Sequence, residues 1–92
     1  AAAKGGIDSF TIGLAKEVAI EGIRVASVTP GMTDTEIHAR STGDQARVER
    51  IRPTIPMQRI GGAEEIAHAI IFLLSDKASY ITGTTLRVAG GR

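Results

Sequence analysis

Few residues in this chain combine a reactive type with a telling spacing. Pro30 and Gly31 end a short β-branched run, Ile23-Arg24-Val25-Ala26-Ser27-Val28. In an open α/β sheet ligands gather outside the carboxyl ends of strands, and a glycine there lets a ligand come close to the backbone. The same dipeptide is also an ordinary strand-ending turn, because proline removes a donor and bends the chain. Thr35 can cap a helix starting near Glu36. Lys4, taken by itself, reads as a solvated cation. His38 and His68 are the only imidazoles, and no cluster of Asp, Glu or His has metal-ligand spacing, so no metal site is expected. His68 falls inside a helical pattern, where a surface or packing role is expected. Gly90-Gly91 is followed by no helix whose N-terminus could receive a phosphate, and reads as a tail.

The elements that must position these residues alternate along the chain. Ile7, Phe10, Leu14 and Val18 recur at spacings of three and four, which predicts a helix burying that face, with Asp8, Lys16 and Glu17 on the polar side. Gly22 supplies a stop. The run from Ile23 to Val28 reads as a strand. From Met32 to Arg52 the chain turns polar, and short helices in a mobile excursion are expected. Pro53, Pro56 and Gly61-Gly62 punctuate the return. Glu64-Glu65 then opens a second helix, whose negative charges suit its N-terminal dipole. Ile66, Ala69, Ile70, Leu73 and Leu74 are its expected buried face. Thr84-Thr85-Leu86-Arg87-Val88 reads as a closing strand. This order argues for right-handed crossovers and a mainly parallel sheet. Two strands cannot form a parallel sheet covered on both faces, so further strands and helices are expected upstream or in a partner chain.

Composition narrows the class. The 92 residues carry 42% apolar and 23% charged side chains, near the average for folded soluble chains, which excludes collagenous, low-complexity and fully disordered proteins. Size scaling gives only about 63% burial on folding, a marginal core. Eleven Lys and Arg against ten Asp and Glu leave a net charge of +1, too little to steer toward nucleic acid or acidic lipid. No cysteine is present to supply a disulfide or a zinc-thiolate staple. No apolar run approaches the roughly 18 residues needed to span a bilayer, and no signal-peptide pattern opens the chain. A cytoplasmic location is therefore expected, with no nucleic-acid or membrane partner. The opening Ala1-Ala2-Ala3-Lys4, without a helix cap before it, suggests a segment of something longer.

Seven motifs in order carry a family resemblance. Ala1-Ala2-Ala3-Lys4-Gly5-Gly6-Ile7, Gly22-Ile23-Arg24-Val25, Pro30-Gly31-Met32-Thr33-Asp34-Thr35 and Ile55-Pro56-Met57-Gln58-Arg59-Ile60-Gly61 are followed by Glu64-Glu65-Ile66-Ala67, Phe72-Leu73-Leu74-Ser75-Asp76 and Ile81-Thr82-Gly83. Nearly the whole chain resembles the C-terminal portion of a short-chain dehydrogenase/reductase. It closely resembles the subgroup containing 3-oxoacyl-carrier-protein reductases and glucose dehydrogenases. The resemblance implies that residues 1–92 are the C-terminal part of a single Rossmann-type α/β domain, a doubly wound parallel sheet with helices on both faces. It further implies an oxidoreductase moving hydride between NAD or NADP and an alcohol or carbonyl substrate.

The family's Tyr-x-x-x-Lys signature matches at Lys4, with the tyrosine expected immediately before Ala1. Residues four apart share a helical face, so the ammonium would lower the phenol's pKa and donate to the nicotinamide ribose. The resemblance also implies that Pro30, Gly31, Thr33 and Thr35 contact the nicotinamide half of the cofactor. For Thr35, that role can coexist with helix capping. Neither the tyrosine nor the catalytic serine, the family's asparagine or the glycine-rich phosphate loop lies within these residues, so the segment by itself is expected to be inactive. Tyr80 is followed four residues later by Thr84 rather than lysine, and does not replace the missing acid/base.

Residues 36–52 match the family's substrate lid. Their charges read as a solvated face, although Arg40, Arg47, Arg50 and Arg52 offer contacts to an anionic substrate, diluted by Glu36, Asp44 and Glu49. Ala89 stands where many relatives have aspartate, which weakens a terminal contact. The resemblance implies a homo-oligomer, a tetramer or dimer, and the apolar faces of both strong helices suit association. A different reading is a non-catalytic α/β interaction module that keeps only these association surfaces.

Overall fold

A computed structural model describes residues 2–33 and 44–92. In order, these form helix α1 (Ala2–Val18), a 3-10 turn (Ala19–Glu21), strand β1 (Ala26–Pro30), helix α2 (Asp44–Ile51), a 3-10 turn (Arg52–Thr54), helix α3 (Ala63–Leu74), a 3-10 turn (Asp76–Ala78) and strand β2 (Thr84–Val88). β1 and β2 pair in a parallel two-stranded sheet. The class is α/β, as the alternation predicts. The chain divides into two compact units, Ala1–Val28 with Ile70–Leu86, and Thr29–Ala69 with Arg87–Arg92.

In the first unit α1 ends where the sequence places its stop. Gly22 takes a left-handed conformation (φ 78°), and its amide donates to the Ala19 carbonyl at 3.0 Å. The buried face differs from expectation. Ile7 and Phe10 are 58% and 67% exposed, Leu14 and Val18 are half-buried, and Thr11 and Ala15 are the buried pair. Small side chains allow the closest approach: a Cβ placed on Gly83 would stand only 3.4 Å from the Ala15 Cβ. Thr11 satisfies its hydroxyl within the helix by donating to the Ile7 carbonyl at 2.8 Å.

β1 also differs, running from Ala26 to Pro30 rather than from Ile23 to Val28. Ile23 is drawn into the helix end, its amide donating to the Val18 carbonyl at 3.4 Å. Arg24 turns its guanidinium to the end of α3, with Nη1 donating to the Leu73 carbonyl at 2.8 Å and Nη2 to the Ser75 carbonyl at 3.3 Å. The Leu73 carbonyl belongs to the last turn of α3, so the cation both satisfies it and opposes the negative end of the dipole, while the Ser75 carbonyl also accepts the Ala78 amide at 3.1 Å. Proline is tolerated as the last strand residue, where its missing N–H costs nothing to the ladder.

α3 starts within one residue of the expected position. Ile66, Ala69 and Leu73 are half-buried, but Ile70 and Leu74 are exposed, the latter at 77%. Among the described residues the buried apolar side chains are Ala15, Ile55 and Ala78, and no large side chain is fully buried. A parallel sheet with two strands exposes apolar helix faces that further elements normally cover. No helix among the described residues is long and apolar enough to cross a membrane.

Candidate functional site at the carboxyl end of the first strand

The second unit is organised around the turn that leaves β1. Past Pro30 the strand pairing continues by one more bond, the Gly31 amide donating to the Val88 carbonyl at 2.9 Å. A Cβ on Gly31 would lie 2.7 Å from the Ala89 Cβ and 2.9 Å from its Cα. The close approach that this glycine permits is therefore that of Ala89. The Met32 carbonyl accepts the Gly61 amide at 3.0 Å, and Thr33 forms a parallel bridge with Gly61. Pro30, Gly31 and Thr33 are thus held on one turn between β2 and the segment preceding α3.

Thr33 is 6% exposed. Its hydroxyl has no hydrogen-bond partner among the described residues, an uncommon and costly state for a buried polar group. A hydroxyl can both donate and accept, and among the described residues this one does neither.

Gly90-Gly91 is more than the tail that the sequence suggests. Both glycines have positive φ, 66° and 98°, and the Gly90 carbonyl accepts the Met57 amide at 3.0 Å. A Cβ on Gly90 would stand 2.8 Å from Ile55 Cγ2, and one on Gly91 would stand 2.9 Å from Pro56 Cβ. Ile55 is buried as a result. Gln58 follows with a φ of 60°, unfavourable for a residue with a side chain. Its Nε2 offsets part of that cost by donating to the Ile55 carbonyl at 3.2 Å. Met32, Ile55, Met57, Ile66, Arg87 and Val88 are among the residues bordering a cavity of about 270 Å³ within this unit.

Arg59 and Glu65 complete the frame. Arg59 Nη1 donates to Glu65 Oε1 at 2.7 Å and Nη2 to Oε2 at 2.9 Å, while Oε1 also accepts the Gly62 amide at 2.9 Å. Glu65 is the third residue of α3 and reaches back to the residue before it, the carboxylate half of a capping box. The Arg59 guanidinium first, and the Gly62 amide second, hold its carboxyl down at about 2. The sequence marks Glu65 for the dipole; its partner six residues upstream carries no local signal.

Lys4 lies in the first turn of α1, in the first unit. Thr35, His38, Arg40 and residues 36–43 of the 36–52 segment lie outside the described residues. The end of that segment is helical, α2, where Arg52 Nη2 donates to Glu49 Oε2 at 2.7 Å, so two of its charges engage each other at the surface.

In open α/β sheets ligands gather outside the carboxyl ends of the strands, and Thr33 lies beyond that end of β1. The family model described as Enoyl-(Acyl carrier protein) reductase matches residues 1–92. The chain is 58% identical over 92 residues to an uncharacterized oxidoreductase, YgfF, of Escherichia coli, covering 100% of this chain and 37% of the relative. It is 50% identical over 91 residues to the 3-oxoacyl-[acyl-carrier-protein] reductase FabG of Salmonella typhimurium, covering 99% and 36%. With the acetoacetyl-CoA reductase of Shinella zoogloeoides it shares 44% over 91 residues, covering 99% and 37%. The chain belongs to the short-chain dehydrogenase/reductase family, near the 3-oxoacyl-carrier-protein reductases. It spans slightly more than a third, 36–37%, of the length of these relatives.

Proposed function

We propose that a polypeptide of the relatives' length carrying these residues is an NAD- or NADP-dependent oxidoreductase. It transfers hydride between the cofactor and a small alcohol or carbonyl substrate. Residues 1–92 form the C-terminal part of one Rossmann-type domain, with 36–52 as the substrate lid. The observation that carries the reading is the buried Thr33 hydroxyl, without a partner among the described residues, beyond the carboxyl end of β1. An amide-bearing ring fits such a group, since a carboxamide both donates and accepts. Two relatives named as reductases, matching almost the whole of this chain, support the same reading.

Pro30, Gly31, Thr33 and Thr35 would hold the nicotinamide half, with Thr33 binding the carboxamide and Gly31 keeping the turn docked on β2. When bound, the nicotinamide supplies or accepts the hydride. Lys4 is the catalytic residue of this segment. Its ammonium stabilises the ionised form of a tyrosine one helical turn before it and orients the ribose hydroxyls. The phenol held by Lys4 would exchange the proton on the substrate oxygen. The exposed Ile7, Phe10 and Ile12 of α1 support association of the full chain into a homo-oligomer.

Fluorescence titration of the full-length protein with NADH and NADPH, followed by turnover on a panel of ketones and 3-oxoacyl thioesters, tests the reading. Saturable binding of at least one cofactor, with hydride transfer, is the expected result. Silence with both cofactors overturns it.

A further inference from the structure

Within the first unit, the first described side chain of α1 that is tied to the sheet is Asp8. Gly5, Gly6, Ile7 and Ser9 are exposed, and close packing of the helix begins only at Thr11. Asp8 Oδ1 accepts the Thr85 hydroxyl at 2.7 Å, and Thr85 Oγ1 lies 2.6 Å from the Ser27 hydroxyl. Thr85 has a single proton, spent on the carboxylate, so Ser27 donates to Thr85. A directed chain of bonds therefore runs from β1 through β2 to α1.

Lys4 precedes Asp8 by four residues, one turn and about 6 Å along the axis, on the same helical face. Between them stands the exposed Gly5-Gly6 pair, which gives this turn little stiffness of its own. Apolar contact is non-directional and tolerates sliding. A hydrogen bond to a carboxylate is short, directional and stronger than a neutral one.

We propose that Asp8 and Thr85 are positioning residues for Lys4: the Ser27–Thr85–Asp8 chain sets the height and rotation of the Lys4 turn of α1 against the sheet. This rests on the reading of Lys4 as the catalytic lysine. A displacement of about 1 Å at a catalytic group can cost about a hundredfold in rate, so loss of one anchor is expected to register in turnover before it registers in binding.

The test uses the full-length enzyme and the variants Thr85→Val, Thr85→Ser, Asp8→Ala and Lys4→Ala. Thr85→Val keeps shape and local charge while removing the donor. It is expected to lower kcat about tenfold, with KM changed less than about twofold. It should also raise the pH at which kcat reaches half its plateau, because a misplaced ammonium depresses the phenol less. Thr85→Ser restores both, and Asp8→Ala matches the loss in kcat. If Thr85→Val does not fold, Asp8→Ala carries the kcat and KM comparison.

A folded Thr85→Val enzyme with the parent's kcat and pH profile, changed only in melting temperature, overturns the proposal. Lys4→Ala separates the two failures. An inactive Lys4→Ala beside a parent-like Thr85→Val sinks the positioning role alone, and a fully active Lys4→Ala removes the catalytic reading and the proposal with it.

Discussion

Arg59 and Glu65 meet as a two-pronged pair, 2.7 and 2.9 Å, and the same carboxylate accepts the Gly62 amide at the start of α3. The carboxyl is depressed from 4.5 to about 2, with the Arg59 hydrogen bond as the largest cause. A depressed folded-state pKa contributes stability that is fully present above the unfolded value and is lost as pH falls toward the folded one. Glu65→Gln should therefore lower the melting temperature at pH 7, with the difference from the parent closing between about pH 5 and pH 2. Melting curves across that range check it. A difference that stays constant with pH would mean that the charge of Glu65 plays no part.

Gly31 is expected to tolerate no side chain, because Ala89 occupies the space where its Cβ would stand. Gly31→Ala should cost about 1–3 kcal/mol, the usual range for overpacking a tight contact. Adding Ala89→Gly should return part of that loss, since it removes the 2.7 Å Cβ contact but leaves the Cα at 2.9 Å. Urea titrations of the single and double variants measure both effects. Undiminished stability in Gly31→Ala would show that the two backbones are not pressed together as described.

Gly91→Ala is also expected to destabilise, by about 1 kcal/mol or more, because its positive φ disfavours an L side chain. The added methyl would also meet Pro56 at 2.9 Å. Ile55→Ala, at the buried end of the same contact, should cost about 2–5 kcal/mol. Denaturation midpoints decide. Parent-like stability in both would return Gly90-Gly91 to the status of a tail.

How legible these features are in the sequence depends on how far apart the partners stand. The β-branched run Thr84–Val88 and the acidic opening of α3 follow from local preference, and the structure places both elements where those preferences point. Hydrophobic periodicity selects Ile7 and Phe10 for burial in α1, whereas the observed contact uses Thr11 and Ala15, whose small size permits close approach. Periodicity reports which side chains prefer to be covered, not what is near enough to cover them. Arg24 reads as a strand residue because nothing local announces that its guanidinium reaches a carbonyl 49 positions away. The Pro30-Gly31 turn is visible as a turn in the sequence, but its docking on Ala89 and Gly61 arises only from tertiary structure.

Thr33 separates a binding role from a structural one. Its hydroxyl is buried and has no partner among the described residues, so Thr33→Val removes a desolvated polar group while nearly preserving shape. Stability should stay unchanged or rise by up to about 1 kcal/mol, because an unpaired buried hydroxyl is a cost. If the hydroxyl binds the cofactor's carboxamide, the same substitution should weaken cofactor affinity about tenfold, one hydrogen bond's worth of free energy. Paired denaturation and cofactor titrations on the full-length protein read the two quantities independently. Lower stability with unchanged affinity would assign the hydroxyl a structural partner and remove Thr33 from the site. Weaker binding without destabilisation is the combination that a purely structural threonine cannot produce.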